Sequence, residues 1–148
     1  MMTEVRVGII GFGTVGAGVV DCLLRNGELI SERTGLRPIL TRVSDLDTTS
    51  DRGVVLPEGV MTSDSFGLIA DPNVDVVVEL VGGTGIAKQF ILRALDIGKP
   101  VVTANKALLA THGEEIFRAA EKSSADVYYE ASVGGGIPCI KAMREGLV

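Results

Sequence analysis

The sequence predicts a doubly wound α/β fold, a mainly parallel sheet of about six strands with helices on both faces. Three observations carry this expectation. Residues 5–16, VRVGIIGFGTVG, are an apolar run that ends in a glycine-rich turn, and a helically spaced segment follows. Further short β-branched runs, VDVVVEL at 74–80 and PVVTAN at 100–105, are each followed by a segment of helical period. No internal repeat interrupts this alternation.

Composition sets the bounds. A chain of 148 residues with 46% apolar content holds one full core, so one α/β domain is the default. The apolar runs fall far short of the ~20 residues of a membrane span, and no membrane partner is expected. A net charge of −5 with interspersed signs leaves no basic surface for nucleic acid. Cys22 and Cys139 have neither metal-ligand spacing nor the density of a disulfide framework and read as reduced thiols. The N-terminus enters a strand at once, without the segments of a signal peptide, which predicts a cytoplasmic protein.

Taken in order, the first strand leads into G-x-G-x-x-G at Gly11, Gly13 and Gly16. In such a unit the first glycine permits the tight turn, the second lets the backbone approach a pyrophosphate, and the third lets helix and strand pack closely. The helix N-terminus then faces the phosphates. A βα turn without a ligand remains the alternative. The first helix is expected to place Val15, Val19, Cys22 and Leu23 on the sheet and to fray near Asn26 and Gly27. Residues 28–38 read as a polar connection, and 39–45, ILTRVSD, as the second strand. Asp45 ends that strand, where an acidic side chain binds ribose hydroxyls and repels a 2′-phosphate; the other reading makes it the opening of a turn.

Residues 47–62 read as a loop with, at most, a short strand at Val60 and Met61, followed by a brief helix. The run at 74–80 is the central strand and ends in VGG, at the edge where open α/β sheets bind ligands. The next helix presents Ile86, Phe90, Ile91, Ala94 and Leu95 on one side and stops at Gly98 before Pro100. Strand five is 100–105, Thr111 to Glu114 read as a capping box opening a helix through Glu121, and 126–132, DVYYEAS, is strand six.

Two further groups concern chemistry. Lys106 follows strand five at the sheet edge of the glycine turn, within reach of a cofactor or a carbonyl being reduced; a solvated lysine in a first helical turn is the alternative. Glu130 precedes Gly134, Gly135 and Gly136, whose carbonyls with the carboxylate suit a hard cation. A flexible exit from the domain is the competing account. His112, the only histidine, reads as a surface or capping residue.

The segments GFGTVG, ELVGG, VVTANKALLA and EASVGGGIP stand in the order and spacing of homoserine dehydrogenase, and the chain resembles the N-terminal part of that family. The resemblance implies a Rossmann-type NAD(P)-binding domain over 1–135, with 136–148 beginning a substrate and dimerisation domain. It implies reversible reduction of aspartate 4-semialdehyde to homoserine with NAD or NADP, a step toward threonine and methionine. By the same resemblance the cofactor lies on Gly11, Phe12, Gly13, Thr14, Val15, Gly16, Val81, Gly82 and Gly83. Lys106 serves the cofactor and the reacting end of the substrate, and Glu130, Val133, Gly135 and Ile137 hold a sodium ion. The chain departs from many relatives in having Ser44, not a basic residue, before Asp45, which tilts the expectation toward NAD, although Arg42 remains a candidate for a 2′-phosphate. Gly85 and Ile86 replace a Glu-Pro pair, and Cys139 an aliphatic residue. The family's further substrate and proton-transfer residues lie beyond Val148, so the chain alone is expected to be inactive; the whole enzyme is expected to be a homodimer or homotetramer. Another two-domain amino-aldehyde or amino-acid dehydrogenase, or a non-catalytic nucleotide sensor, is the alternative.

Overall fold

The structure, a computed structural model, describes residues 2–147. Six strands are formed: β1 (Thr3–Ile10), β2 (Leu36–Ser44), β3 (Met61–Thr62), β4 (Val76–Glu79), β5 (Val101–Thr103) and β6 (Val127–Tyr128). Five helices accompany them: α1 (Thr14–Thr34), α2 (Ser65–Ala70), α3 (Ile86–Asp96), α4 (Lys106–Ser123) and α5 (Cys139–Gly146). All pairings are parallel, in the order β3-β2-β1-β4-β5-β6. Winding therefore reverses between β1 and β4, and the crevice at their carboxyl ends is where such sheets bind ligands.

Alternation along the strands divides the core. Val7 and Ile9 of β1, Val43 of β2 and Val78 of β4 pack with Ala17 and Val20 of α1 on one face. Ile10, Val77, Val101 and Val127 face the other way, onto Leu68 of α2, Phe90, Ile91 and Leu95 of α3, and Leu108 and Ile116 of α4. No helix among the described residues is long and apolar enough to cross a membrane.

Helix α1 differs most from expectation. It does not fray at Gly27, and residues 28–38 are not a loop. The helix runs to Thr34, where Gly35 turns left-handed (φ 74°) and donates its N–H to Ser31 O. A glycine inside a helix costs only about 1 kcal/mol, less than the packing of the turns around it supplies. Ser31 is buried and bonds back to Gly27 O at 2.7 Å, tying the two turns together. The long gap between the glycine turn and Asp45 is thus filled by extra helical turns and a long β2. The buried face is also rotated: Gly16, Ala17, Val20 and Ser31 are inside, Val19 and Leu23 are half-buried, and Val15 and Cys22 are exposed. The smallest residues face the strand because the approach there is closest.

Two further boundaries move. Helix α4 opens at Lys106, capped by Asn105, whose side chain accepts from Leu108 N–H. Thr111 lies inside it, its hydroxyl bonded to Ala107 O, so the expected capping box is not formed. Strand β6 stops at Tyr128, and Glu130–Ser132 form a 3₁₀ turn instead of continuing the strand. On α3, Ala87 is buried in place of Ile86, which is exposed.

Gly27 tests the continuity of α1. Its φ is not left-handed, and a Cβ built there meets nothing within 4 Å. Gly27→Ala is expected to raise stability by ~0.5–1 kcal/mol in urea denaturation; a loss of stability, as at a loop glycine with left-handed φ, would count against the continuous helix.

Candidate functional site

The glycine turn after β1 is built from three positions with three different constraints. Gly11 has φ 99°, donates its N–H to Ser44 O at 2.8 Å, and would place a Cβ 2.7 Å from the carbonyl carbon of Leu80. It is wedged between the ends of β2 and β4. A Cβ on Gly16 would lie 1.9 Å from Gly11 O, so α1 can rest on the turn only because Gly16 lacks one. A Cβ on Gly13 meets nothing within 4 Å. Gly13 is also the N-cap of α1 and contributes no side-chain cap, and the first turn carries no acidic residue. The leading N–H groups of a helix have no intrahelical partners, so this end of α1 offers uncompensated donors beside an open position.

Around that turn the side chains point mostly inward. Phe12 is buried in the core beneath the turn. Its N–H donates to Asp45 Oδ2 at 2.6 Å, while Asp45 Oδ1 accepts from Asp47 N–H at 2.9 Å. Asp45 therefore binds the end of β2 to the glycine turn and also opens the following turn; the contacts of a turn-opening residue are present. Arg42 is engaged elsewhere. Its guanidinium reaches Asp71 at 3.4 Å and Gly59 O at 2.8 Å. Arg52, which sequence reasoning did not single out, pairs with Asp47 at 3.0 Å. Hydrogen bonds from Ser50 and Thr49 hold the Asp47 carboxyl well below the usual carboxylate range. Thr14 and Val15 are exposed on the first turn of α1, and Thr14 borders a 420 Å³ groove that runs between α1 and residues 51–54.

The turn after β4 lies at the neighbouring strand end. Gly82 and Gly83 are left-handed (φ 78° and 71°), and Val81 is exposed. Beneath it is Glu79, wholly buried, together with Thr103 and Asn105; none of the three was picked out as a site residue from sequence, although an acid closing an apolar run was a visible signal. Lys106 is exposed at the first position of α4, beyond the carboxyl end of β5. The residues expected from sequence thus gather at the carboxyl ends of β1, β2, β4 and β5.

The Glu130 group lies past β6. Ser132 Oγ donates to Thr103 O at 2.9 Å, tying the 3₁₀ turn to β5. Glu130 Oε1 accepts Lys141 N–H at 2.9 Å, Val133 O accepts the Cys139 thiol at 3.4 Å, and Ile137 O accepts Cys139 N–H at 2.8 Å. Gly134 and Gly135 are left-handed (φ 81° and 61°), which brings the chain round to meet α5. Among the described residues no cluster of three or more His, Cys, Asp or Glu side chains is placed to hold a metal. On α5 Ile140 is buried, while Met143 is exposed, as is Leu147 just beyond the helix.

The model of the family described as homoserine dehydrogenase, NAD binding domain, matches residues 11–130. Homoserine dehydrogenase of Neisseria gonorrhoeae is 49% identical over 99% of this chain, which spans 33% of that protein, and that of Bacillus subtilis is 41% identical, with 34% of its length covered. The crystal structure of a homoserine dehydrogenase from Thiobacillus denitrificans superposes with a TM-score of 0.89 at 43% identity, over 99% of this chain and 34% of that one. The chain spans about a third of the length of the relatives it matches. With the glycine turn, the strand order and residues 11–130 all in agreement, the chain belongs to the homoserine dehydrogenase NAD-binding domain family.

Proposed function

We propose that the chain binds NAD(H) or NADP(H) along the carboxyl edge of the sheet, within a cytoplasmic enzyme that interconverts aspartate 4-semialdehyde and homoserine on the way to threonine and methionine. The observation that carries the cofactor site is the contrast within the glycine turn: Gly11 and Gly16 are crowded by backbone, while Gly13 borders open space. A Cβ at Gly13 would meet no atom of the fold, so the missing side chain leaves open a path for something that approaches from outside. A pyrophosphate there meets the uncapped N-terminus of α1.

The cofactor supplies the hydride. The chain supplies orientation and charge. In this reading Gly11 and Phe12, whose N–H groups are bonded to Ser44 O and Asp45 Oδ2, set the shape of the turn, and Gly13 with the first turn of α1, Thr14, Val15 and Gly16, holds the pyrophosphate. Asp45 meets the ribose, and the turn Val81, Gly82 and Gly83 borders the nicotinamide end. Lys106 places a cation near the reacting carbonyl, because it is exposed at the adjoining strand end. NAD(H) is favoured over NADP(H): Asp45 follows Ser44, its carboxylate repels a 2′-phosphate, and Arg42 is held by Asp71 and Gly59. The domain boundary falls near residue 135, since the sheet ends with β6 and α5 begins beyond the glycine run. Glu130 with the carbonyls of Val133, Gly135 and Ile137 would hold a sodium ion, an all-oxygen set of the kind a hard cation prefers, once Glu130 Oε1, Val133 O and Ile137 O give up the hydrogen bonds they accept from Lys141 and Cys139. In the full-length protein a homodimer or homotetramer is the matching assembly.

Gly13→Val leaves the chain folded, with a small fall in thermal midpoint from the poorer N-cap, and weakens NAD(H) binding at least about tenfold, roughly 1.4 kcal/mol, by calorimetry; undiminished affinity in the folded variant would remove the dinucleotide site. In the same titrations the unaltered chain binds NAD(H) more tightly than NADP(H), and the reverse order would count against Asp45 as the selector. In the full-length enzyme, Lys106→Ala lowers turnover with little change in stability, and Glu130→Gln weakens any dependence on sodium. Wild-type turnover would return Lys106 to the solvent, and a rate indifferent to sodium in both forms would dispose of the cation. The 148-residue chain alone binds cofactor without oxidising homoserine, because the residues that would hold the substrate within the ~3–3.5 Å that transfer demands are, by the family resemblance, contributed by the rest of the enzyme; steady NADH production would contradict this.

A further inference from the structure

Glu79 closes β4 and is wholly buried, yet all its neighbours along the strand are aliphatic. One carboxylate oxygen accepts the N–H groups of Val81 at 2.9 Å and Gly82 at 3.3 Å; the other accepts the Thr103 hydroxyl at 2.8 Å. Thr103 is equally buried, and its hydroxyl oxygen accepts Asn105 N–H at 3.1 Å. Asn105 closes the circuit. Its Nδ2 donates to Gly83 O at 2.7 Å, and its Oδ1 accepts Leu108 N–H at 3.1 Å, capping α4 one residue before Lys106. Three side chains from two adjacent strand ends thus grip both sides of the Val81–Gly83 turn and the start of α4.

Burying a carboxylate is costly, and apolar residues of similar volume often stabilise a fold as well or better. What they cannot do is hold two N–H groups of a left-handed Gly-Gly turn. We propose that Glu79, Thr103 and Asn105 are positioning residues, a single buried unit that fixes the Val81–Gly83 turn in its ligand-ready shape against the first turn of α4 and so sets the cofactor surface relative to Lys106. The proposal rests on the reading that this turn borders the cofactor. It also states how the turn does so: the Val81 and Gly82 N–H groups are committed to Glu79, so the cofactor meets the exposed Val81 side chain and the peptide planes.

The test uses the full-length enzyme, with NADH and NADPH each titrated by fluorescence and the thermal midpoint measured alongside. Asn105→Asp keeps an oxygen to cap Leu108 N–H but loses the amide donor to Gly83. It is expected to weaken cofactor binding about tenfold with the midpoint little changed. Thr103→Val is expected to lose affinity that Thr103→Ser restores. Val81→Asp, a charge placed on the exposed face of the turn, must weaken binding as well. If it does not, the turn does not meet the cofactor, and the reading and the proposal both fall. If Val81→Asp weakens binding while Asn105→Asp and Thr103→Val stay within twofold of wild type, the positioning role alone is overturned. That role is overturned equally if affinity and midpoint fall together in Asn105→Asp, or if Thr103→Ser fails to restore affinity. Should Thr103→Val not fold, Asn105→Asp decides.

Discussion

The carboxyl edge of this domain depends on one contact with no clearance, the approach of Gly16 to the carbonyl of Gly11. With a Cβ at Gly16 only 1.9 Å from that oxygen, α1 would have to lift off the turn. The turn itself cannot yield. Gly11 is fastened to Ser44 O on one side and crowded by Leu80 on the other, so a shift there displaces the ends of β2 and β4 together. Asp45 adds a second fastening through Phe12 N–H. The apolar layer beneath, Val7, Ile9, Ala17, Val20, Val43 and Val78, supplies the burial that presses helix and sheet into this contact.

Another constraint, polar where the first is steric, works at the neighbouring strand ends. The hydrogen bonds of Glu79, Thr103 and Asn105 are buried, where an unpaired donor or acceptor costs more than a made bond returns. That asymmetry makes the arrangement unique: a turn displaced from Glu79 would leave a carboxylate unsatisfied inside the protein. No buried side-chain nitrogen or oxygen among the described residues lacks a partner. The surface ion pairs, such as Arg25 with Asp21 and Arg118 with Glu114, are exposed and add little by comparison.

Much of this was legible in the sequence, for reasons that differ by element. Strands β1 and β4 announce themselves through the apolar runs at 7–10 and 76–78, which are covered on both faces, and the glycine fingerprint stands out because Gly11 and Gly16 answer local steric demands. Helix α1 was misread at Gly27 because a weak helix former is not a helix stop; the stop is Gly35, whose left-handed φ no Cβ-bearing residue adopts readily. Its buried face was misjudged by weighing apolarity over size, since Gly16 and Ala17 lie inside and Val15 outside. The start of α4 was missed at Asn105 because Thr111 and Glu114 match the capping pattern, which is short enough to recur inside a helix. The resemblance to the family rests on GFGTVG, ELVGG, VVTANKALLA and EASVGGGIP, of which the second includes Glu79 and the third Thr103 and Asn105. Nothing in the residue types of Thr103 and Asn105, however, discloses that they are bonded to Glu79 and its turn, because those contacts join different strands.

Across the candidate site most polar side chains serve the shape, and the side chains left exposed are Thr14, Val15, Val81 and Lys106. Phe12 points into the core, Asp45 bonds to Phe12 N–H, and Glu79, Thr103 and Asn105 are buried around one another. A surface made this way is fixed before a ligand arrives, so little conformational entropy remains to be lost on binding. It also carries few groups able to distinguish one reaction from another. Lys106 is the exception at this edge: exposed, cationic and placed by an N-cap that belongs to the buried network. If Lys106 serves the reaction as proposed, its charge is placed through its neighbours: Asn105 caps α4 one residue before it, so a change that loosens Asn105 would alter where that charge stands without touching the lysine itself.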